Sequence, residues 1–133
     1  TDSYVLWNLA NVFMGKQDYN QAIEVFNRRN LGTYTNWALG YTYGLSGSKV
    51  KAQEVLDHHL QKVETDYVPA VMISAIYMGL NDKDQALSWL EKAFDEGIAP
   101  ILLPEVIMGP KFEALRQDPR FKLLLAKVDL HAS

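Results

Sequence analysis

The chain has 133 residues, 48% of them hydrophobic and 22% charged, the balance of one ordinary globular domain. Thirteen basic against sixteen acidic side chains leave a formal charge of −3, which gives no electrostatic footprint for nucleic acid or an anionic membrane surface. With no cysteine, neither a disulfide framework nor thiolate chemistry is available, and a cytoplasmic location fits.

The chain opens Thr1-Asp2-Ser3, without an initiator methionine or a signal-like segment, and so reads as a piece of a larger protein. From Tyr4 to Lys16, the residues Leu6, Leu9, Ala10 and Phe13 fall on one helical face. Asp18 followed by Gln21 is a capping-box arrangement opening a second helix, with Ala22, Ile23 and Phe26 as its apolar stripe. A third helix carries Leu39-Gly40-x-x-Tyr43 and ends in the turn Leu45-Ser46-Gly47-Ser48. Ser48 is expected to cap a fourth, which contains Ala52 and Leu56.

The longest apolar run, Val68 to Leu80, is interrupted by Pro69 and Ser74 and is shorter than the roughly 20 residues of a bilayer span. It reads as a buried helix with Pro69 in its first turn. Asp82 with Gln85 opens the next helix, striped by Ala86, Leu90 and Ala93. Beyond Phe94, Gly97, Pro100 and Pro104 break an apolar connection, Ile98 to Ile107. A final helix follows Asp118-Pro119, with Phe121, Leu124, Leu125 and Val128 in one stripe and His131 in a frayed end.

Two features agree on an internal period. Ala22, Ala52 and Ala86 are 30 and 34 residues apart, and so are Asp18, Ser48 and Asp82. The missing four residues fall in Asn30-Leu31-Gly32, which implies a tight joint. Ala10, Gly40 and Ser74 are expected to face Ala22, Ala52 and Ala86, so that paired helices approach at the lower end of the usual 8 to 10 Å.

Leu39-Gly40-x-x-Tyr43 followed by Ala52-x-x-x-Leu56 resembles the tetratricopeptide repeat, although Asn36 and Trp37 stand where a single large residue is usual. Arg29, His59 and Ala93 take the place of the repeat's further small residue. The segment Pro110 to Phe121 resembles the tail that follows the last repeat in bacterial multidomain regulators linked to winged-helix, cyclase or kinase domains. The resemblance implies an all-α, right-handed α-α superhelix of three helical hairpins, about residues 3–30, 33–64 and 67–97. A C-terminal extension, 98–133, ends in a capping helix with a short one before it. The last helix either covers the third hairpin or docks in the concave groove, its own or that of another copy.

Catalytic signals are thin. His58 and His59 point about 100° apart on a helix and cannot share a metal as residues at i and i+4 do; Glu54 and His58 read as a surface ion pair, and His59 as a packed imidazole. Glu91, Asp95 and Glu96 lie on a polar face. No phosphate loop, nucleophile elbow or metal-protease helix occurs. No enzyme activity, cofactor or metal is expected; a hydrolase or metal protein using His58 is a third reading.

The resemblance also implies which residues line the concave groove. These are Tyr4, Trp7, Asn11 and Met14 from the first hairpin, Tyr34, Trp37 and Tyr41 from the second, and Val68, Val71, Ala75 and Met78 from the third. Aromatic side chains of this kind dominate binding hot spots. A carboxylate clamp for C-terminal peptides needs Lys, Arg and Asn there, and only Asn11 is present. The expected function is therefore a non-enzymatic protein-interaction module binding a peptide or helix. The alternative is self-association, or regulation of an upstream domain, at the C-terminus of a bacterial signalling protein. Trp37→Ala and Tyr41→Ala are expected to remove binding while leaving the melting behaviour nearly unchanged.

Overall fold

The computed structural model describes residues 3–28, 33–97 and 110–132, with side chains described for 5–28, 37–97 and 111–126. Among these residues there is no strand. The elements are α1 (Ser3–Gly15), α2 (Tyr19–Arg28), α3 (Thr33–Leu45), α4 (Lys49–Val63), α5 (Ala70–Gly79), α6 (Lys83–Glu96), a 3-10 helix (Pro110–Leu115) and α7 (Pro119–Ala132). No helix is long and apolar enough to cross a membrane among the described residues. The joint at Asn30-Leu31-Gly32, Arg29 and the connection Ile98 to Ile107 lie outside the described residues.

Helices α1 and α2, α3 and α4, and α5 and α6 pack as hairpins, and α2–α3, α3–α5 and α4–α5 contacts join them into an all-α helical repeat solenoid. The three hairpin turns are built alike. Gln17, Gly47 and Asn81 adopt φ of 60°, 90° and 61°. The next amide in each turn reaches back five residues: Asp18 to the Phe13 carbonyl at 2.9 Å, Ser48 to Tyr43 at 2.8 Å and Asp82 to Tyr77 at 2.9 Å. This left-handed closure satisfies the last carbonyls of the first helix and starts the second one residue later.

At the starts of the second helices, Gln21 N–H donates to Asp18 Oδ1 at 3.3 Å and Gln85 N–H to Asp82 Oδ1 at 3.2 Å. Ser48 departs from the expectation: it occupies the cap position, but its side chain makes no capping hydrogen bond. Pro69 is also shifted from its expected place, standing at the cap (φ −57°, ψ 126°) with α5 beginning at Ala70.

The small residues of the hairpins are buried, and those of the third meet as their spacing implies. Ala10, Ala22, Ala52, Ser74 and Ala86 are fully buried, and Ser74 Oγ donates to the Ala86 carbonyl at 2.7 Å, a close approach that also satisfies a buried hydroxyl. A Cβ on Gly40 would stand 3.0 Å from Val55 Cγ1 and 3.1 Å from Ile76 Cγ1, so α3 meets both α4 and α5 there.

The tail is part of the core. Phe112, Leu115, Phe121 and Leu124 are buried in one cluster with Val71, Ala75, Leu87 and Leu90; the 3-10 helix packs on α5 and α7 on α6. Trp89 is half-buried against the same cluster. Asp118 caps α7 by accepting from Arg120 N–H at 2.9 Å. The Arg120 guanidinium contacts Asp118 Oδ2 at 3.2 Å and Asp84 Oδ1 at 2.8 Å, tying α7 to the start of α6. Those hydrogen bonds from Arg120 hold the Asp118 carboxyl below its ordinary range. Contrary to the expectation of a frayed end, α7 runs through His131 to Ala132, whose side chains lie outside the described residues.

Candidate partner groove

The walls of the groove follow from how the first helices are spaced. Helix α3 packs directly on α5, whereas α1 reaches α3 through the side chains of Trp7 and Met14, so residues flanking the small positions converge between α1, α3 and α5. There they enclose a cavity of about 700 Å³ lined by Trp7, Asn11, Met14, Gly15, Gln17, Tyr19, Trp37, Tyr41, Leu45, Val71, Met72, Ala75, Lys111 and Phe112.

At one end, the Trp7 ring lies 5.8 Å from that of Phe26 and 6.2 Å from that of Trp37, tilted by 59° and 57°, an edge-biased arrangement favourable for aromatic rings. Asn11 Nδ2 donates to the Trp7 carbonyl at 3.1 Å, leaving the amide on the groove surface. Met14 bridges to the next repeat, with its sulfur 3.4 Å from Thr42 Oγ1, which also donates to the Ala38 carbonyl at 2.7 Å.

At the other end the tail supplies the wall. Lys111 Nζ lies 5.4 Å from the centre of the Trp37 ring and 5.6 Å from that of Tyr41, and Phe112 is buried beside them. Cation–π contacts of this length hold the lysine across both aromatic groups. Among the described lining residues there is no carboxylate.

Of the residues expected in the groove, Trp7, Asn11, Met14, Trp37, Tyr41, Val71 and Ala75 line one cavity. Val71, Ala75 and Met78 are buried in the core cluster that includes Phe112, and Val68 is buried with Leu56, Ile73 and Ile76. The side chains of Tyr4 and Tyr34 lie outside the described residues. Trp37 packs against all three core clusters and Tyr41 is itself buried. Replacing either by alanine therefore perturbs stability as well as the groove, contrary to the expectation of nearly unchanged melting.

Lys111 and Phe112 were not expected in the groove, and neither were Gly15, Gln17, Tyr19, Leu45 and Met72. Lys111 and Phe112 are separated from α5 in sequence by α6 and a long connection, and no local pattern places them at Trp37. Met72 had a weak signal: it is next to Val71 in a helix buried nearly all round.

The remaining chemical candidates lie elsewhere. His59 is buried, its Nδ1 is 2.9 Å from the Val55 carbonyl oxygen, and its Nε2 has no hydrogen-bond partner. Burial pushes its pKa down. The rings of His58 and His59 stand 6.0 Å apart and nearly perpendicular. Glu54 and His58 form no ion pair among the described residues, in contrast to the expected surface pair. No group of three or more His, Asp or Glu side chains able to hold a metal occurs among the described residues.

Comparison with known proteins gives one family. Residues 3–28 and 70–95, the first and third hairpins, match the tetratricopeptide repeat. These matches support a tetratricopeptide repeat protein, and such repeats generally mediate protein–protein interaction and are typically non-enzymatic. Neither the curated proteins nor the solved structures compared with the chain gave a match.

Proposed function

We propose that the chain is a protein-interaction module that holds a peptide or a helix of a partner protein in the aromatic groove between α1, α3 and α5. The observation that carries this reading is the convergence of Trp7, Asn11, Met14, Trp37 and Tyr41 on one cavity of about 700 Å³. Apolar walls with a few polar groups suit an apolar anchor side chain oriented by an amide, here that of Asn11.

Peptides selected from a displayed library against the chain test the assignment. Binding to the groove predicts at least tenfold weaker affinity for Asn11→Arg, at an exposed wall position, and unchanged affinity for Val50→Lys, on the exposed outer side of α4. Peptides that bind the Asn11→Arg chain as well as the parent contradict it.

A second reading rests on Lys111 and Phe112. Because the C-terminal extension furnishes one wall, the groove also suits a regulatory C-terminal domain of a bacterial, cytoplasmic signalling protein, in which an upstream segment of the same chain competes for that wall. Deleting any such segment would raise peptide affinity, and unchanged affinity would count against this reading.

A further inference from the structure

The three helices that form the groove carry no charge. Ser3–Gly15, Thr33–Leu45 and Ala70–Gly79 contain no Asp, Glu, Lys or Arg, whereas 22% of the chain is charged and each of the second helices α2, α4 and α6 bears both signs. Lys111 is the one charged side chain among the described lining residues, and it comes from the tail rather than from a repeat.

The ammonium is held in place. It is half-buried and lies 5.4 Å from the centre of the Trp37 ring and 5.6 Å from that of Tyr41. Two ring faces restrict a side chain that is otherwise mobile, so part of the ordering cost is met before any partner arrives. An ammonium has three N–H donors and no acceptor, which lets it hold a carboxylate together with the rings.

We propose that Lys111 sets the class of partner: the groove, on whose reading as a peptide or helix site this inference rests, takes a segment in which an apolar anchor is accompanied by an internal Asp or Glu side chain. Trp37 touches both features, with its ring 6.2 Å from that of Trp7 and 5.4 Å from Lys111 Nζ. An anchor against the Trp7–Trp37 wall therefore puts the acid two residues away in an extended segment, at roughly 7 Å, or about three to four away in a helix. A basic segment meets the opposite fate, since it brings a second cation to Lys111 with no carboxylate among the described lining residues to receive it. The net charge of −3 does not oppose the acid at this range, because charges beyond about 8 Å are screened at physiological salt.

Peptides selected from a displayed library against the full chain are the test, each compared by calorimetry with a counterpart in which Asp or Glu is replaced by Asn or Gln. Selected sequences should carry an acid within about four residues of the apolar anchor, and the amide counterpart should bind about fivefold more weakly. Lys111→Gln should weaken the acidic peptide by the same factor and leave the amide counterpart unchanged. Amidating the peptide C-terminus should leave all these affinities as they are, because the acid recognised is internal. Acidic and amide peptides that bind the parent chain equally overturn the proposal, and that comparison needs no variant protein. So does an equal loss of both on Lys111→Gln, or a loss on C-terminal amidation. Where the same peptides still weaken on Asn11→Arg, the groove stands as the binding site and only the partner class falls; where they do not, both fall.

Discussion

Gly44 of α3 and Gly79 of α5 bring two helix backbones into direct contact: a Cβ on Gly44 would overlap the Gly79 carbonyl, and one on Gly79 would stand 2.5 Å from the Tyr41 oxygen. This junction sets how closely the second and third hairpins approach, and Tyr41 carries it to the groove. Gly44→Ala or Gly79→Ala forces two backbones apart, with an expected loss of about 1–3 kcal/mol, as for other overpacked sites. Gly15→Ala, where a Cβ meets nothing within 4 Å, is the control and should leave the denaturation midpoint unchanged or slightly raised.

The hairpin turns provide a prediction of opposite sign. Gln17 and Asn81 hold φ near 60° where the middle turn has Gly47, and a side chain in the left-handed region costs about 1–2 kcal/mol. Gln17→Gly removes that cost but adds freedom to the unfolded chain, which offsets part of the gain. A net stabilisation of up to about 1 kcal/mol is expected by chemical denaturation. Asn81→Gly should gain less, because asparagine tolerates this conformation better than glutamine.

The solenoid was legible in the sequence because its hairpins depend on contacts of short range. Ala10 with Ala22 and Ser74 with Ala86 lie only 12 residues apart, and their small size is the reason the helices approach. The Gly44–Gly79 contact was not legible, since it depends on how two hairpins cross. The lining of the cavity was legible at Trp7, Asn11 and Met14, which flank the packing positions of their own helix. Its far wall was not, because Lys111 and Phe112 reach Trp37 only through the placement of the whole tail. The absent Ser48 cap shows that a serine at the right position does not by itself make the bond.

His59 should give the repeats a pH-dependent stability. Burial disfavours its protonated form, so its folded-state pKa lies below the ordinary value of 6.5, and the unfolded chain binds the proton first. The stability due to the neutral imidazole is complete above pH 6.5 and is lost as pH falls below that value toward the lowered folded-state pKa. His59→Leu, which also removes the unpaired Nε2, should match or exceed the parent by up to about 1 kcal/mol at pH 7.5. Urea midpoints measured between pH 7.5 and 5 should fall less steeply for the variant; parallel curves would assign the pH dependence to other groups.

The tail should behave as core. Phe112 is fully buried among Val71, Ala75 and Leu90, so Phe112→Ala is expected to cost about 3–5 kcal/mol. Thermal melting and binding of an apolar dye report this together, with lower Tm and dye uptake below it. A variant that melts like the parent would show that the tail is not anchored through Phe112.

Binding in the groove is read most directly by tryptophan emission. Trp89 is the one tryptophan outside the groove lining, and Trp89→Phe leaves Trp7 and Trp37, 6.2 Å apart, as reporters. Titrating this variant with a library-selected peptide should shift their emission along a saturating curve with the same Kd as that from calorimetry. Saturable heat with unchanged emission would place the peptide elsewhere and contradict the groove as the binding site.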